Sequence, residues 1–119
     1  MSQEQDCLFC GILAGTIPSE VIYENDDVIA FRDVAPQAPT HVLVVPRRHV
    51  ENAGTLTEED ADLVGALILG AQRVAELEGI ENPDRGYRLV MNVGADAMNS
   101  VPHLHLHVLG GRALTWPPG

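Results

Sequence analysis

The sequence is short of aromatic residues and of positive charge. Only 4% of its 119 residues are aromatic, so a core has to be built mainly from Val, Leu, Ile and Ala. Seven Lys and Arg stand against 17 Asp and Glu, which gives a net charge of −10. A field of that sign repels nucleic acid and anionic membranes, so neither is expected as a partner. It still allows a small anion to be held in a local pocket.

Long apolar runs are also missing. No stretch reaches the roughly 18 apolar residues of a membrane-spanning helix. The first six residues, MSQEQD, are acidic and polar, unlike a signal peptide, and we expect them to be a flexible N-terminus. A chain of 119 residues is enough for one domain and too short for two. We therefore expect a single domain over 1–119, in the cytoplasm, with residues 112–119 as a C-terminal tail.

The pattern of apolar residues predicts an α+β fold. A capping box formed by Thr57 and Asp60 begins a long helix at 58–77, which Gly79 ends. Its core positions would be Val64, Leu67, Ile68, Ala71, Val74 and Ala75, and Leu63, Ala66 and Leu69 widen the apolar face. Residues 7–15 resemble a short helix. Strand-like segments lie at 21–25, 27–33, 40–48, 87–94 and around the histidines at 103–107. Hairpin signals predict that they form an antiparallel sheet of about five strands.

Three histidines at alternate positions are the strongest chemical signal. In a strand, His103, His105 and His107 would point to one face, about 7 Å apart, with the intervening apolar residues facing the core. The residues alone leave two interpretations open. One is a metal site completed by a ligand from elsewhere. The other is a nucleophilic histidine whose neighbours fix its tautomer and bind an anion.

The pattern His-Leu-His-Leu-His-Val-Leu at 103–109 resembles the signature of the histidine-triad (HIT) superfamily. The stretches AFRDVAPQAPTHVLVVPRRH (30–49), NVG (92–94) and HVLGGRALTWPPG (107–119) are similar to its Hint branch, the histidine-triad nucleotide-binding proteins. The resemblance runs from about residue 7 to residue 119. It implies a HIT fold and a homodimer, in which the long helix and the adjoining strand pair across a twofold axis to make one continuous sheet.

The resemblance also implies a reaction. Hint-like proteins bind purine nucleoside monophosphates and hydrolyse their phosphoramidates. His105 would attack the α-phosphorus and expel the amine, and water would then cleave the nucleotidyl-histidine. A backbone carbonyl on the neighbouring strand would accept a hydrogen bond from its other ring nitrogen. His107 would contact phosphate oxygens, and Ser100 would donate to the departing amine.

Other site residues follow from the same resemblance. His41 would hydrogen-bond within the histidine cluster, and Asn92 would contact ribose, phosphate or the leaving group. Many members have Gly-Gln before the Ser or Thr, where this chain has Met98-Asn99, so a phosphate contact is lost or supplied differently. Trp116, in the tail, would shape the leaving-group side of the partner's site. The base and ribose would be held by Leu8, Phe9, Phe31, Val34 and Leu43, with Asp33 taking ribose hydroxyls.

The motif Cys7-Leu8-Phe9-Cys10 is compatible with zinc binding, with a redox pair or with two inert cysteines. A redox Cys-x-x-Cys normally opens a helix after a strand, and none precedes residue 7. Zinc needs two more ligands, for which His49 and His103 are candidates. The chain resembles bacterial-type HIT proteins that have this motif. The resemblance implies a structural Cys₂His₂ zinc at these positions.

Three alternatives to phosphoramidate hydrolysis remain. A dinucleoside polyphosphate hydrolase of the same superfamily usually has a longer chain after the triad. A nucleotide-binding or scaffold dimer with incidental hydrolysis would use the same residues. In a zinc hydrolase, all three histidines of the row would be metal ligands.

Overall fold

The computed structural model describes residues 7–118, which form a five-stranded antiparallel sheet in the order β1-β2-β3-β5-β4. The expected flexible N-terminus, 1–6, lies outside these residues. Within the described part, no helix is both long and apolar enough to cross a membrane. The predicted α+β class is confirmed. The strands are β1 (Val21–Glu24), β2 (Val28–Arg32), β3 (Thr40–Pro46), β4 (Tyr87–Val90) and β5 (Leu106–Gly110), and the helices are α1 (Leu8–Leu13) and α2 (Ala61–Glu78).

Helix α2 covers one face of the sheet and α1 the other. Strand β3 is buried at every residue, so its alternate side chains serve two separate apolar clusters. Val42 and Val44 pack with α2, and Leu43 and Val45 pack with Phe9 of α1. Leu104, Leu106 and Val108 join the cluster under α2, as the sequence predicts. The triad histidines therefore belong to the face that carries α1.

The ends of α2 follow the predicted signals. The Asp60 carboxylate accepts a hydrogen bond from the Thr57 backbone N–H at 2.9 Å, and Gly79 ends the helix with φ 72°. The α-helix begins at Ala61 because residues 58–60 form a 3₁₀ turn. The prediction that Ile68 belongs to the core is wrong, because this residue is 43% exposed. Gly70 lets α2 approach the sheet, because a Cβ there would lie 3.1 Å from Val28 Cγ2.

The predicted histidine strand begins later than expected. The β3–β5 ladder ends at the pair Val44–Leu106, so His103 and His105 lie before β5. The Leu104 N–H instead donates to the Val50 carbonyl at 2.6 Å. Leu104 and Leu106 still pack under α2, and the histidines that alternate with them still lie towards α1. The expected separation of the two faces is therefore kept. The other strands are also shorter than predicted, because their ladders stop at Arg32, Pro46 and Val90.

A charged network fastens the end of α2 to the sheet. The Arg32 guanidinium donates to both Glu78 oxygens at 2.8 and 3.0 Å, and its Nε donates to Glu20 at 2.9 Å. The Thr40 hydroxyl donates to Glu78 at 3.2 Å. These hydrogen bonds, with Arg32 as the largest cause, lower the pKa of the Glu78 carboxyl. Glu78 is thus ionised at neutral pH and saturated with donors.

We predict that Glu78→Gln lowers the free energy of unfolding by about 1–2 kcal/mol at pH 7, because it removes a charge-assisted pair in which Glu78 is only 15% exposed. Glu76→Gln, two residues away, is the matched control. Its pair with Arg73 is 47% exposed on the glutamate, and we expect a loss below about 0.5 kcal/mol. Urea unfolding measures both. Equal losses would show that the Arg32 network adds nothing to stability.

Candidate active site

A cavity of about 330 Å³ opens beside the histidines, on the α1 side of the sheet. Its walls come from α1, from β2 and β3, and from the loop that precedes β5. Its lining combines apolar side chains with imidazoles, an amide and a hydroxyl. Among the residues predicted for the site, those that line the cavity are Leu8, Phe9, Phe31, Asp33, Val34, Leu43, Asn92, Ser100, His105 and His107.

Sequence reasoning missed part of the wall. Ile12 lies one turn after Leu8 on α1, so helical spacing alone could have identified it. Ile17 and Pro18 follow the helix in a turn, where no periodicity marks which side faces the cavity. Arg32 lines the cavity although its guanidinium is engaged by two glutamates. The other unpredicted lining residues are Ser19, Met98 and Val101.

Hydrogen bonds assign the tautomers of His41 and His107. The Gln37 backbone N–H donates to His41 Nδ1 at 3.0 Å, so neutral His41 carries its proton on Nε2. That Nε2 lies 2.9 Å from His107 Nδ1, which must therefore accept. Neutral His107 is left with its proton on Nε2, a buried atom with no hydrogen-bond partner among the described residues. His107 thus offers an unused N–H donor beside the cavity.

The same reasoning fixes the tautomer of His105. Its Nδ1 lies 2.8 Å from the His103 carbonyl oxygen, which can only accept, so Nδ1 carries the proton. The lone pair of neutral His105 is then on Nε2. The expected acceptor on a neighbouring strand is wrong, because the carbonyl belongs to His103 in the same segment. Phe9 packs edge-on against the His105 ring, with centroids 5.0 Å apart, and limits its rotation.

Asp33, His41 and His107 also bring three potential metal ligands together. Asp33 Oδ2 lies 3.5 Å from His41 Nε2. A metal would need the Nε2 lone pair of His41, yet that nitrogen carries the proton in the neutral ring, since Nδ1 accepts from Gln37. The trio is therefore better described as a hydrogen-bonded chain than as a metal site.

Both histidines of this chain are held neutral. Burial, with smaller effects from His105 and His41, lowers the pKa of His107 from 6.5 to about 4, against the opposing charge of Asp33. Burial also lowers the pKa of His41. Neutral rings agree with the tautomers assigned above. An anion in the cavity would therefore meet the neutral N–H donor of His107 rather than an imidazolium.

Cys7, Cys10, His49 and His103 form a second cluster, with ligand atoms that lie within 4.8 Å of one another. His103 Nδ1 is 3.3 Å from both Sγ atoms, and His49 Nδ1 is 3.2 Å from Cys10 Sγ. Ligand atoms at the corners of a zinc tetrahedron are about 3.3–3.8 Å apart, from bond lengths of 2.0–2.3 Å. The two cysteines are not joined by a disulfide bond. The donor set and its spacing fit a four-coordinate metal ion.

The hydrogen bonds around this metal cluster suit metal binding. His103 Nε2 donates to the Pro46 carbonyl at 2.9 Å, which leaves the Nδ1 lone pair directed at the cysteines. The Cys10 backbone N–H donates to Cys7 Sγ at 3.3 Å, which fixes the position of this sulfur at the start of α1. His103 is fully buried and packs edge-on against His49. The four residues predicted as metal ligands are thus brought together.

Two predicted substrate residues lie elsewhere. Trp116 is 81% exposed and outside the cavity, and the tail before it is held by Arg88, which donates to the Thr115 carbonyl at 3.0 Å. Asn99 does not line the cavity, and its buried Oδ1 has no partner among the described residues. Its neighbour Met98 lines the cavity in a left-handed conformation, φ 61°, which costs less for glycine.

The Asn92 amide shapes this loop. It donates to the Ala97 carbonyl at 2.8 Å and so ties the end of β4 to the segment that leads to Ser100. The backbone N–H groups of Met98 and Asn99 are also used within the loop, on Ala95 and Gly94. They are therefore not available to a phosphate in this conformation. The Ser100 hydroxyl and the His107 Nε2–H are two side-chain donors at the cavity that could serve an anion instead.

Comparisons with known proteins agree with this geometry. The sequence model of the HIT domain matches residues 14–114. An uncharacterised HIT-like protein of Synechococcus elongatus is 45% identical over 97% of this chain and 98% of its own length. The crystal structure of a HIT family hydrolase from Legionella pneumophila superposes with a TM-score of 0.90, at 44% identity, over 95% of this chain and 99% of that one. A HIT family hydrolase from Clostridium thermocellum gives 0.88 at 40% identity, over 93% and 95%. The chain belongs to the HIT family.

The lowered pKa of His107 predicts a pH effect on stability. The pKa of His107 is about 4 in the folded protein and 6.5 in the unfolded chain. Its contribution to stability is therefore complete above pH 6.5 and is lost as the pH falls towards 4. The difference in unfolding free energy between wild type and His107→Gln should therefore shrink from pH 6.5 to pH 4. Val108→Ala is the control, since its difference from wild type involves no titrating group. A pH-independent difference for His107→Gln in urea unfolding would contradict the neutral assignment.

Proposed function

We propose that the protein is a hydrolase of purine nucleoside 5′-phosphoramidates that acts through a covalent nucleotidyl-histidine at His105. Two solved relatives are named HIT family hydrolases, which supports the broader class. The observation that carries the proposal is the hydrogen bond from His105 Nδ1 to the His103 carbonyl. In the neutral ring this bond places the lone pair on Nε2, beside a cavity that is also lined by His107 and its N–H donor.

The reaction divides between the two cavity histidines. His105 Nε2 attacks the phosphorus, and the phosphorus–nitrogen bond to the amine breaks. The His107 Nε2–H donates to a phosphoryl oxygen, where charge develops in the transition state. The Ser100 hydroxyl donates a hydrogen bond to the nitrogen of the departing amine, which takes a proton from solvent. Water then attacks the phosphorus, breaks its bond to Nε2 and releases the nucleoside monophosphate.

The rest of the cavity suits a nucleoside. Leu8, Phe9 and Phe31 offer apolar surface to a base. Asp33 already accepts the Ala35 N–H on Oδ1 at 2.8 Å, so Oδ2 is the oxygen available to a ribose hydroxyl. Leu8, Phe9 and Phe31 have no polar side-chain atoms. Recognition of the base therefore relies on shape and stacking more than on hydrogen bonds.

We propose that zinc occupies the cluster of Cys7, Cys10, His49 and His103 as a structural ion. Four protein ligands leave no open position for substrate. Metal analysis should give about one zinc per chain in wild type, and none in a Cys7→Ser, Cys10→Ser double variant. His105→Ala should keep the metal. Loss of zinc in His105→Ala would instead indicate a catalytic zinc held by the histidine row.

A homodimer is part of the proposal. Leu69 and Leu77 leave apolar surface exposed on α2, and β4 is an edge of the sheet. A partner packed on these elements would extend the sheet and bring its tail, with Trp116, towards the cavity. Sedimentation should give about twice the chain mass of 12.8 kDa. A monomer at micromolar concentration would contradict this arrangement.

The reaction is tested by intact-mass analysis after brief mixing with an adenosine 5′-phosphoramidate. We expect a nucleotidyl adduct on wild type. Ser100→Ala, which lacks the hydroxyl that would donate to the departing amine, should form the same adduct more slowly. His105→Ala should give no adduct, with turnover reduced at least about 1,000-fold, as for loss of a catalytic nucleophile.

Three results would redirect the proposal. Equal turnover by wild type and His105→Ala would exclude His105 as the nucleophile. Nucleotide binding without turnover in either protein would favour the binding or scaffold role. A preference for dinucleoside polyphosphates over phosphoramidates would favour the other hydrolase class of the superfamily.

A further inference from the structure

His103 is shared by the metal cluster and the nucleophile. Its Nδ1 lies 3.3 Å from Cys7 Sγ and 3.3 Å from Cys10 Sγ. Its carbonyl oxygen, on the same residue, lies 2.8 Å from His105 Nδ1. We propose that His103 is a positioning residue through which the metal cluster fixes the reactive tautomer of His105. The inference depends on the proposed function only in taking His105 as the nucleophile.

The backbone around His103 explains why its ring matters. The β3–β5 ladder begins at Leu106, so the carbonyl of His103 lies outside the regular sheet. Its N–H closes a turn on the Val101 carbonyl at 2.9 Å, directly after a proline that has no donor of its own. The peptide group that carries this carbonyl has two anchors: the Leu104 N–H, which donates to the Val50 carbonyl at 2.6 Å, and the buried ring of His103.

The ring is held between two anchors. On one side, Nε2 donates to the Pro46 carbonyl at 2.9 Å, at the end of β3. On the other, Nδ1 faces the two sulfur atoms, which belong to α1 and its N-terminal cap. A thiol is a weak hydrogen-bond partner, whereas a zinc–nitrogen bond of about 2.0 Å fixes both distance and direction. With zinc bound, this second anchor is rigid.

The consequence for His105 is chemical. Without a fixed acceptor, its neutral ring can carry the proton on either nitrogen, and the tautomer protonated on Nε2 has no lone pair there to attack phosphorus. A hydrogen bond donated by Nδ1 to a fixed carbonyl selects the reactive tautomer, in the same way that outer groups orient metal-bound histidines. Loss of the metal should therefore affect the chemical step more than nucleotide binding, because Phe31 and Asp33 of the nucleoside site lie outside the Cys7–Cys10 motif.

The test measures the tautomer directly and without substrate. Long-range ¹H–¹⁵N spectra of the full chain are recorded at one fixed pH, in the zinc-loaded form, after stripping with a chelator and after zinc is restored. His105→Gln identifies the His105 signals. We expect a single tautomer protonated on Nδ1 with zinc, a mixture of tautomers without it, and recovery when zinc returns. A single Nδ1-protonated tautomer in stripped protein, or isolated protein that binds no zinc, would overturn the proposal.

Two variants separate positioning from general loss of stability. Cys10→Ala should give the spectrum of stripped wild type. Leu67→Ala removes a fully buried side chain of α2, on the other face of the sheet, and should keep the single tautomer. If Leu67→Ala gives the same mixture, the tautomer reports stability alone and the inference fails.

Kinetics give an independent measure. Stripping should slow adduct formation with an adenosine 5′-phosphoramidate by about 10-fold to 100-fold, while the affinity for AMP changes much less. An equal fall in the rate of adduct formation and in the affinity for AMP would mean that the cavity collapses, and it would contradict a positioning role. If no adduct forms in any sample but the tautomer still follows zinc, the proposed reaction fails and the coupling stands.

Discussion

The complete burial of β3 is the constraint on which both halves of the molecule depend. Because every residue of this strand is inside, one set of side chains must match α2 and the alternate set must match α1 and the cavity. The polar groups of β3 are correspondingly all used. Thr40 reaches Glu78, His41 holds His107, and the Pro46 carbonyl holds His103. A shift of this strand would disturb the helix anchor, the orientation of His107 and the cluster of cysteines and histidines together.

The sequence predicted much of the fold because its strongest signals are local. The capping box at Thr57, the glycine at 79 and the alternation of Leu104, Leu106 and Val108 each depend on neighbours within a few residues. The start of β5 and the exposure of Ile68 could not be predicted this way. They depend on where β3 stops pairing and on how α2 is rotated over the sheet, and both are set by contacts distant in the sequence.

The site shows the same division. Residue types and a family resemblance were enough to select the histidines, Asp33 and the two cysteines, and the structure brings them together in two clusters. The tautomers were out of reach, because they depend on the Gln37 N–H and the His103 carbonyl, backbone groups that no side-chain pattern marks. For Asn99, the family resemblance predicted a contact with substrate. The structure instead holds its backbone N–H within the loop, and Asn99 does not line the cavity.

Arg32 has a consequence for how the cavity attracts a charged molecule. Arg32 is among the lining residues, but its guanidinium is directed to Glu78 at the end of α2 and to Glu20, which neutralise it, and His107 is uncharged. An incoming phosphate therefore meets dipoles in a molecule with a net charge of −10, and gains no long-range steering from the protein. Added salt should screen repulsion rather than attraction, so association should become faster as ionic strength rises, the reverse of the behaviour of a basic phosphate-binding site.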